Sequence, residues 1–108
     1  MVVEENYLEH VKDLLSSIEG VTYRVMFGGY GVFHEGDMFA LISGADPMLY
    51  FKVGDLNRDA FKAAGGQRFG LMSYYQVPAD VLEDSEKMRD WASEAIGVGH
   101  LTSKNHRR

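Results

Sequence analysis

Three glycines set inside a run of strand-forming residues constrain this chain more than anything else in it. Residues 24–43 read RVMFGGYGVFHEGDMFALIS, with Gly28, Gly29 and Gly31 between β-branched, aromatic and methionine side chains. Glycine weakens a strand unless the backbone must bend, bulge or come close to another chain segment. The three are therefore expected to be structural, with at least one at positive φ or at a bulge. They do not form a phosphate loop. Gly31 leads directly into Val32 and Phe33, so no helix N-terminus follows to hold an anion.

The remaining periodicities place this glycine segment in an α+β domain. Tyr7, Leu8, Val11, Leu14, Leu15 and Ile18 share one helical face over residues 5–19, and Gly20 stops the helix. The period then falls to two. Strands are expected near 22–28, 30–35, 37–43 and 48–53, joined by the short turns 34–37 and 44–47. Connections this short make antiparallel neighbours. Met38, Ala40 and Ile42 alternate with Phe39 and Leu41, so the third strand is apolar on both sides, as a central strand would be. A short helix capped by Asp55 or Asn57 runs through Ala64 and buries Phe61. A strand follows at 71–77, then a single helical turn at 80–82. A last helix is expected from about Asp84 to Ile96, with Gly97 and Gly99 beyond its end. Trp91, with Met88 and Ile96, is its expected core anchor. The order is α-β-β-β-β-α-β-α, one domain over residues 1–99 with a basic, flexible tail at 100–108.

Charge narrows the partners. Three of the eleven basic residues, Lys104, Arg107 and Arg108, lie in the last five positions. Residues 1–103 thus hold eight basic against sixteen acidic side chains, a net −8. So acidic a body repels a phosphate backbone, and specific DNA binding by this chain alone is not expected. There is no cysteine, which removes disulfides, thiolate metal sites and thiol nucleophiles. No apolar run is long enough to span a bilayer, and the N-terminus does not read as a signal peptide, so a cytoplasmic location is expected.

Candidate chemistry is sparse. His10, His34, His100 and His106 show no helical metal-ligand spacing, and His34 beside Glu35 reads as a solvated hairpin tip. Only a metal site assembled from distant positions stays open. No serine lies in a Gly-x-Ser-x-Gly elbow, and no catalytic residue, metal ligand or cofactor-binding residue is assigned. Arg24 lies in a mainly apolar strand. It would pair with Asp37 or Glu35 across the sheet, or anchor an anionic ligand. Tyr30, Tyr50, Tyr74 and Tyr75 offer hydroxyls to a pocket, although Tyr74 and Tyr75 must face opposite ways. Arg24, Tyr30, Tyr50 and Tyr74 are the candidate ligand or partner contacts.

The runs 24–33 (RVMFGGYGVF), 36–42 (GDMFALI), 49–53 (LYFKV), 73–78 (SYYQVP) and 88–95 (MRDWASEA) occur in an order that resembles the N-terminal domain of the TfoX (Sxy) competence regulators. The resemblance spans about residues 4–97. It implies a curved antiparallel sheet with flanking helices, similar to type III secretion chaperones. It also implies a bacterial, non-enzymatic module of transcription regulation that works through protein partners such as the cyclic-AMP receptor protein and needs no cofactor. Two-domain members carry a second, helical domain that has no counterpart in this chain, so a stand-alone domain is expected. The stretch between Phe69 and Met72 is shorter than is usual, which implies a trimmed hairpin. The family supplies no catalytic residues. A homodimer fits the same reading, and the alternative function is a small-ligand-binding domain.

Overall fold

The computed structural model describes residues 5–26, 28–44 and 47–106. Five strands form one antiparallel sheet: β1 (Val21–Met26), β2 (Gly29–His34), β3 (Asp37–Ile42), β4 (Leu49–Lys52) and β5 (Tyr74–Gln76). They pair in chain order, so β3 is the central strand and β1 and β5 are the edges. The helices are α1 (Glu5–Leu14), α2 (Arg58–Ala64), α3 (Ala79–Leu82) and α4 (Ser85–His106). The α+β order is the one that the periodicities predict.

Register explains which residues enter the core. Val32, Ala40 and Phe51 form one cross-strand row, and Tyr30, Ile42 and Leu49 another. Leu8 and Val11 from α1, Leu15 just beyond its end, and Met88, Ala92, Ala95 and Ile96 from α4 complete the same cluster. Strict alternation would put Phe39 on the opposite side from Ala40. A bulge opposite Val32 and Phe33 leaves Phe39 out of the ladder, and both Phe39 and Ala40 join the core. Phe39, Phe51 and Phe61 are the largest fully buried side chains. Burying each contributes about 1.5–3 kcal/mol relative to exposure. The ion pairs Lys12–Glu9, Arg58–Asp55 and Lys87–Asp80 all lie at the surface and contribute far less.

The glycine run behaves as local sterics demand. Gly28 sits at φ 74°. A Cβ on Gly29 would fall on the Ile42 carbonyl oxygen, and one on Gly31 would fall on the Met26 sulfur. Trp91 is half-buried, and its ring meets Phe61 edge-to-face with centroids 4.8 Å apart.

Several boundaries differ from those that the sequence predicts. Helix α1 closes at Leu14, and residues 15–20 continue as turns in which Ser16 Oγ donates to the Asp13 carbonyl at 2.7 Å. Asn57 precedes α2 but does not cap it through its side chain. Its Oδ1 instead accepts from Gly54 N–H and its Nδ2 donates to the Lys52 carbonyl, both at 2.9 Å, which pins the β4–α2 loop. Strand β5 is only three residues long. Arg68 donates to the Leu71 and Met72 carbonyls at 2.8 and 3.0 Å, folding residues 68–72 into a turn that keeps 71–73 out of the strand. In the turn expected at 44–47, Ala45 and Asp46 lie outside the described residues, and Ser43 N–H donates to the Met48 carbonyl at 3.0 Å.

The largest difference is in α4. Asp84 caps it by accepting from the N–H groups of Glu86 and Lys87, as its placement suggests. The helix then runs through Gly97 and Gly99 to His106 instead of ending at Ile96. Gly99 is a contact residue, not a stop: a Cβ there would lie 2.7 Å from the Met38 carbonyl oxygen of β3. The residues expected as a tail from position 100 are helical to 106, and Arg107 and Arg108 lie outside the described residues.

The two helical glycines should respond oppositely to alanine. Gly99→Ala meets a backbone carbonyl and should cost about 1–3 kcal/mol by overpacking. A Cβ on Gly97 would meet only the end of the exposed Leu56 side chain, at 3.2 Å. Gly97→Ala should therefore leave stability unchanged or raise it by up to about 1 kcal/mol through helix propensity. Urea unfolding of both variants followed by circular dichroism checks this; equal effects of the two substitutions would count against it.

Candidate functional site

The helices cover one side of the sheet and leave the other side open. Across the open side run Arg24, Gly31, Leu41, Tyr50 and Gln76, one residue per strand in the same cross-strand row. Beside this row lie Met26, Phe33, Lys52 and Tyr74. Register therefore puts three of the predicted contact residues, Arg24, Tyr50 and Tyr74, on one face. Tyr30 belongs to the opposite face and packs on the core. Arg24 and Tyr50 are three strands apart, roughly 14 Å at the usual spacing, so the four do not converge on one ligand.

Each of these side chains is held locally. The Arg24 guanidinium lies 4.7 Å from the centre of the Phe33 ring, and the described residues give it no ion pair with Asp37 or Glu35. Stacking on Phe33 replaces the cross-sheet pairing that the sequence suggested. Tyr50 packs edge-to-face on Phe69 with centroids 4.9 Å apart. Tyr74 is buried, and desolvation pushes its hydroxyl pKa up to about 12. Lys52 lies over the Tyr74 ring at 5.3 Å, and partial burial lowers its pKa. On the helix side, Tyr23 is also raised to about 12, by desolvation and then by the nearby Glu9. Tyr7 accepts a hydrogen bond from Leu49 N–H at 2.8 Å, tying α1 to the start of β4.

Several hollows lie around this sheet and its helices. One of about 180 Å³ lies at the end of β3, lined by Met26, Tyr30, Leu41, Ile42 and Phe69 among others. A larger one of about 350 Å³ lies between α4 and the β4–α2 loop, with Leu56, Arg58, Val98 and Leu101 on its walls. None of the predicted contact residues lines the larger hollow. At the outer edge of the sheet, β1 pairs among the described residues only with β2, and Val25 on it is 72% exposed.

The structure also assembles a polar cluster that local sequence patterns do not reveal. At the β2–β3 turn, His34 Nδ1 lies 2.8 Å from His100 Nε2 of α4. His100 Nδ1 lies 2.7 Å from Asp37 Oδ2, and the Asp37 side chain is 9% exposed. His34 is thus half-buried and partnered instead of free at a solvated tip. Asp37, expected opposite Arg24, faces His100. The two histidines are 66 positions apart, so no spacing rule could have paired them. The only local hint is the dense polar run His34, Glu35, Asp37 at a hairpin tip.

The model of the TfoX N-terminal domain matches residues 13–98, and the chain belongs to that family. No curated protein sequence matches the chain. No helix among the described residues is long and apolar enough to cross a membrane.

The raised tyrosines make a pH prediction. Their folded-state pKa values of about 12 exceed the ordinary 10.0, so the stability they carry is complete below pH 10 and is lost as pH rises through about 12. Urea midpoints should fall across that window, together with a rise in tyrosinate absorbance. Tyr74→Phe should flatten the fall; an unchanged profile would show that Tyr74 ionises without cost.

Proposed function

We propose that this chain is a cytoplasmic regulatory domain of the TfoX type that acts by docking a protein partner of the transcription machinery, without catalytic turnover and without reading DNA itself. The observation that carries this reading is the β1 edge. Among the described residues its outer backbone groups pair with no other strand, and Val25 projects from it 72% exposed. An exposed, apolar edge strand is a site for strand addition by another chain. The open face next to it presents the Arg24–Phe33 stack, an aromatic and cationic pair of the kind enriched at protein interfaces. The acidic body supports the same reading, since it disfavours phosphate contact. A small-ligand site formed by Arg24, Tyr30, Tyr50 and Tyr74 is not supported, because those residues lie on two faces of the sheet.

A photocrosslinking side chain at position 25, introduced into the chain in its host cells, should trap a discrete partner, with Val25→Asp in untagged competitor abolishing competition. The same probe at Lys62, exposed on α2, should trap none. Equal crosslinking at both positions would remove β1 as the docking edge. Purified chain should show no sequence-selective binding to competence-type promoter DNA at about 0.15 M salt. Saturable, selective binding there would restore a direct DNA-binding role.

A further inference from the structure

The β2–β3 turn and the C-terminal half of α4 bring His34, Glu35 and His100 together, with their ligand atoms all within 4.8 Å of one another. We propose that these three residues form a binding site for a divalent transition-metal ion of the zinc class, with Asp37 as the residue that orients His100.

The chemistry of the donors favours such an ion. Two imidazole nitrogens and one carboxylate oxygen suit zinc and its neighbours, and leave a fourth tetrahedral position to water. Asp37 sets the tautomer of His100. An ionised carboxylate only accepts hydrogen bonds, so Nδ1–H of His100 donates to Asp37 Oδ2 at 2.7 Å. That leaves the Nε2 lone pair of His100 pointing at His34. A carboxylate behind a histidine in this way is the usual support of a metal-bound imidazole.

The contact between the histidines has the same logic. His34 Nδ1 and His100 Nε2 are 2.8 Å apart, and without an ion they must share a proton. Two nitrogens on one tetrahedral zinc, each at 2.0–2.1 Å, stand roughly 3.3 Å apart. An ion therefore replaces that proton with an opening of about half an ångström, once His34 carries its own hydrogen on Nε2.

Glu35 is held near both rings by an unusual backbone. It sits at φ 50°, among the described residues the only non-glycine at positive φ, and is followed by Gly36 at φ 92°. Asparagine or glycine would fill that turn position at less cost. The turn is also anchored from below, because Glu35 N–H donates to the Gly20 carbonyl at 3.0 Å. Gly20 has no side chain to interfere: a Cβ there would stand 3.1 Å from Glu35 Cγ and 3.5 Å from the His34 ring. Three segments distant in sequence thus converge on one small polar site.

Isothermal titration of the full chain with zinc chloride, and optical titration with cobalt chloride, test the assignment. One ion per chain is expected, with tetrahedral cobalt absorption and a higher melting temperature in zinc. His34→Ala and His100→Ala should each abolish stoichiometric binding, and Glu35→Gln should weaken it. Asp37→Asn should lower affinity about 10–100-fold by releasing the His100 tautomer. Circular dichroism confirms that each variant is folded. Should His100→Ala not fold, His34→Ala and Glu35→Gln decide, since both alter exposed or half-buried turn residues. Absence of stoichiometric binding by the folded wild-type chain overturns the proposal. So does binding that persists in His34→Ala, which would place the ion elsewhere.

Discussion

The closeness of α4 to the central strand governs the rest of this molecule. At Gly99 the helix backbone lies so near the Met38 carbonyl that no side chain fits between them. Helices usually stand off a sheet by the size of their side chains, and here glycine removes that spacer. Met88, Ala92, Ala95 and Ile96, the earlier residues on the same helix, are consequently pressed into Phe39, Phe51 and their neighbours. The two alanines and the larger Met88 and Ile96 together give the close packing that protein interiors require. The next residue, His100, owes its position to this contact, because a helix lifted off the strand would carry its imidazole away from Asp37 and His34.

The two faces of the sheet solve different problems. The helix face is filled by side chains from α1 and α4, with the Phe39 bulge adding an aromatic that strict alternation would have sent outward. The open face has no helix, and local side chains shield it instead. Met26 and Phe33 close over the space that Gly31 leaves, Arg24 lies on Phe33, and Phe69 packs on Tyr50. Phe33, Leu41 and Tyr74 are buried by these arrangements without belonging to the main core cluster. A face shielded in this way keeps cationic and aromatic groups at its surface, next to the β1 edge.

Much of the fold was legible because its signals are local. Alternation marked β1 to β4, the apolar stripe marked α1, and Asp84 marked the start of α4. The candidate site was far less so. Arg24 reads as a cation in an apolar strand, but only the register sets Phe33 beside it and turns Asp37 toward His100. Tyr30 reads in the sequence like Tyr50 and Tyr74, and only the register separates them. His34 and His100 carry no shared pattern at all.

By itself the sequence determined the α+β order, the antiparallel meander, the structural character of the glycine run and the family, because these follow from periodicity and short-range sterics. Tertiary structure alone decided how far α4 extends, where Phe39 points, what Arg24 touches and that two distant histidines meet. The reason is common to all four. Glycine reads as a helix stop when judged by its own backbone freedom, yet Gly97 and Gly99 sit inside a helix because packing against β3 outweighs a propensity cost of about 1 kcal/mol each. Contacts made across the sheet have no period in the chain, so they become visible only when the strands and the helix lie against one another.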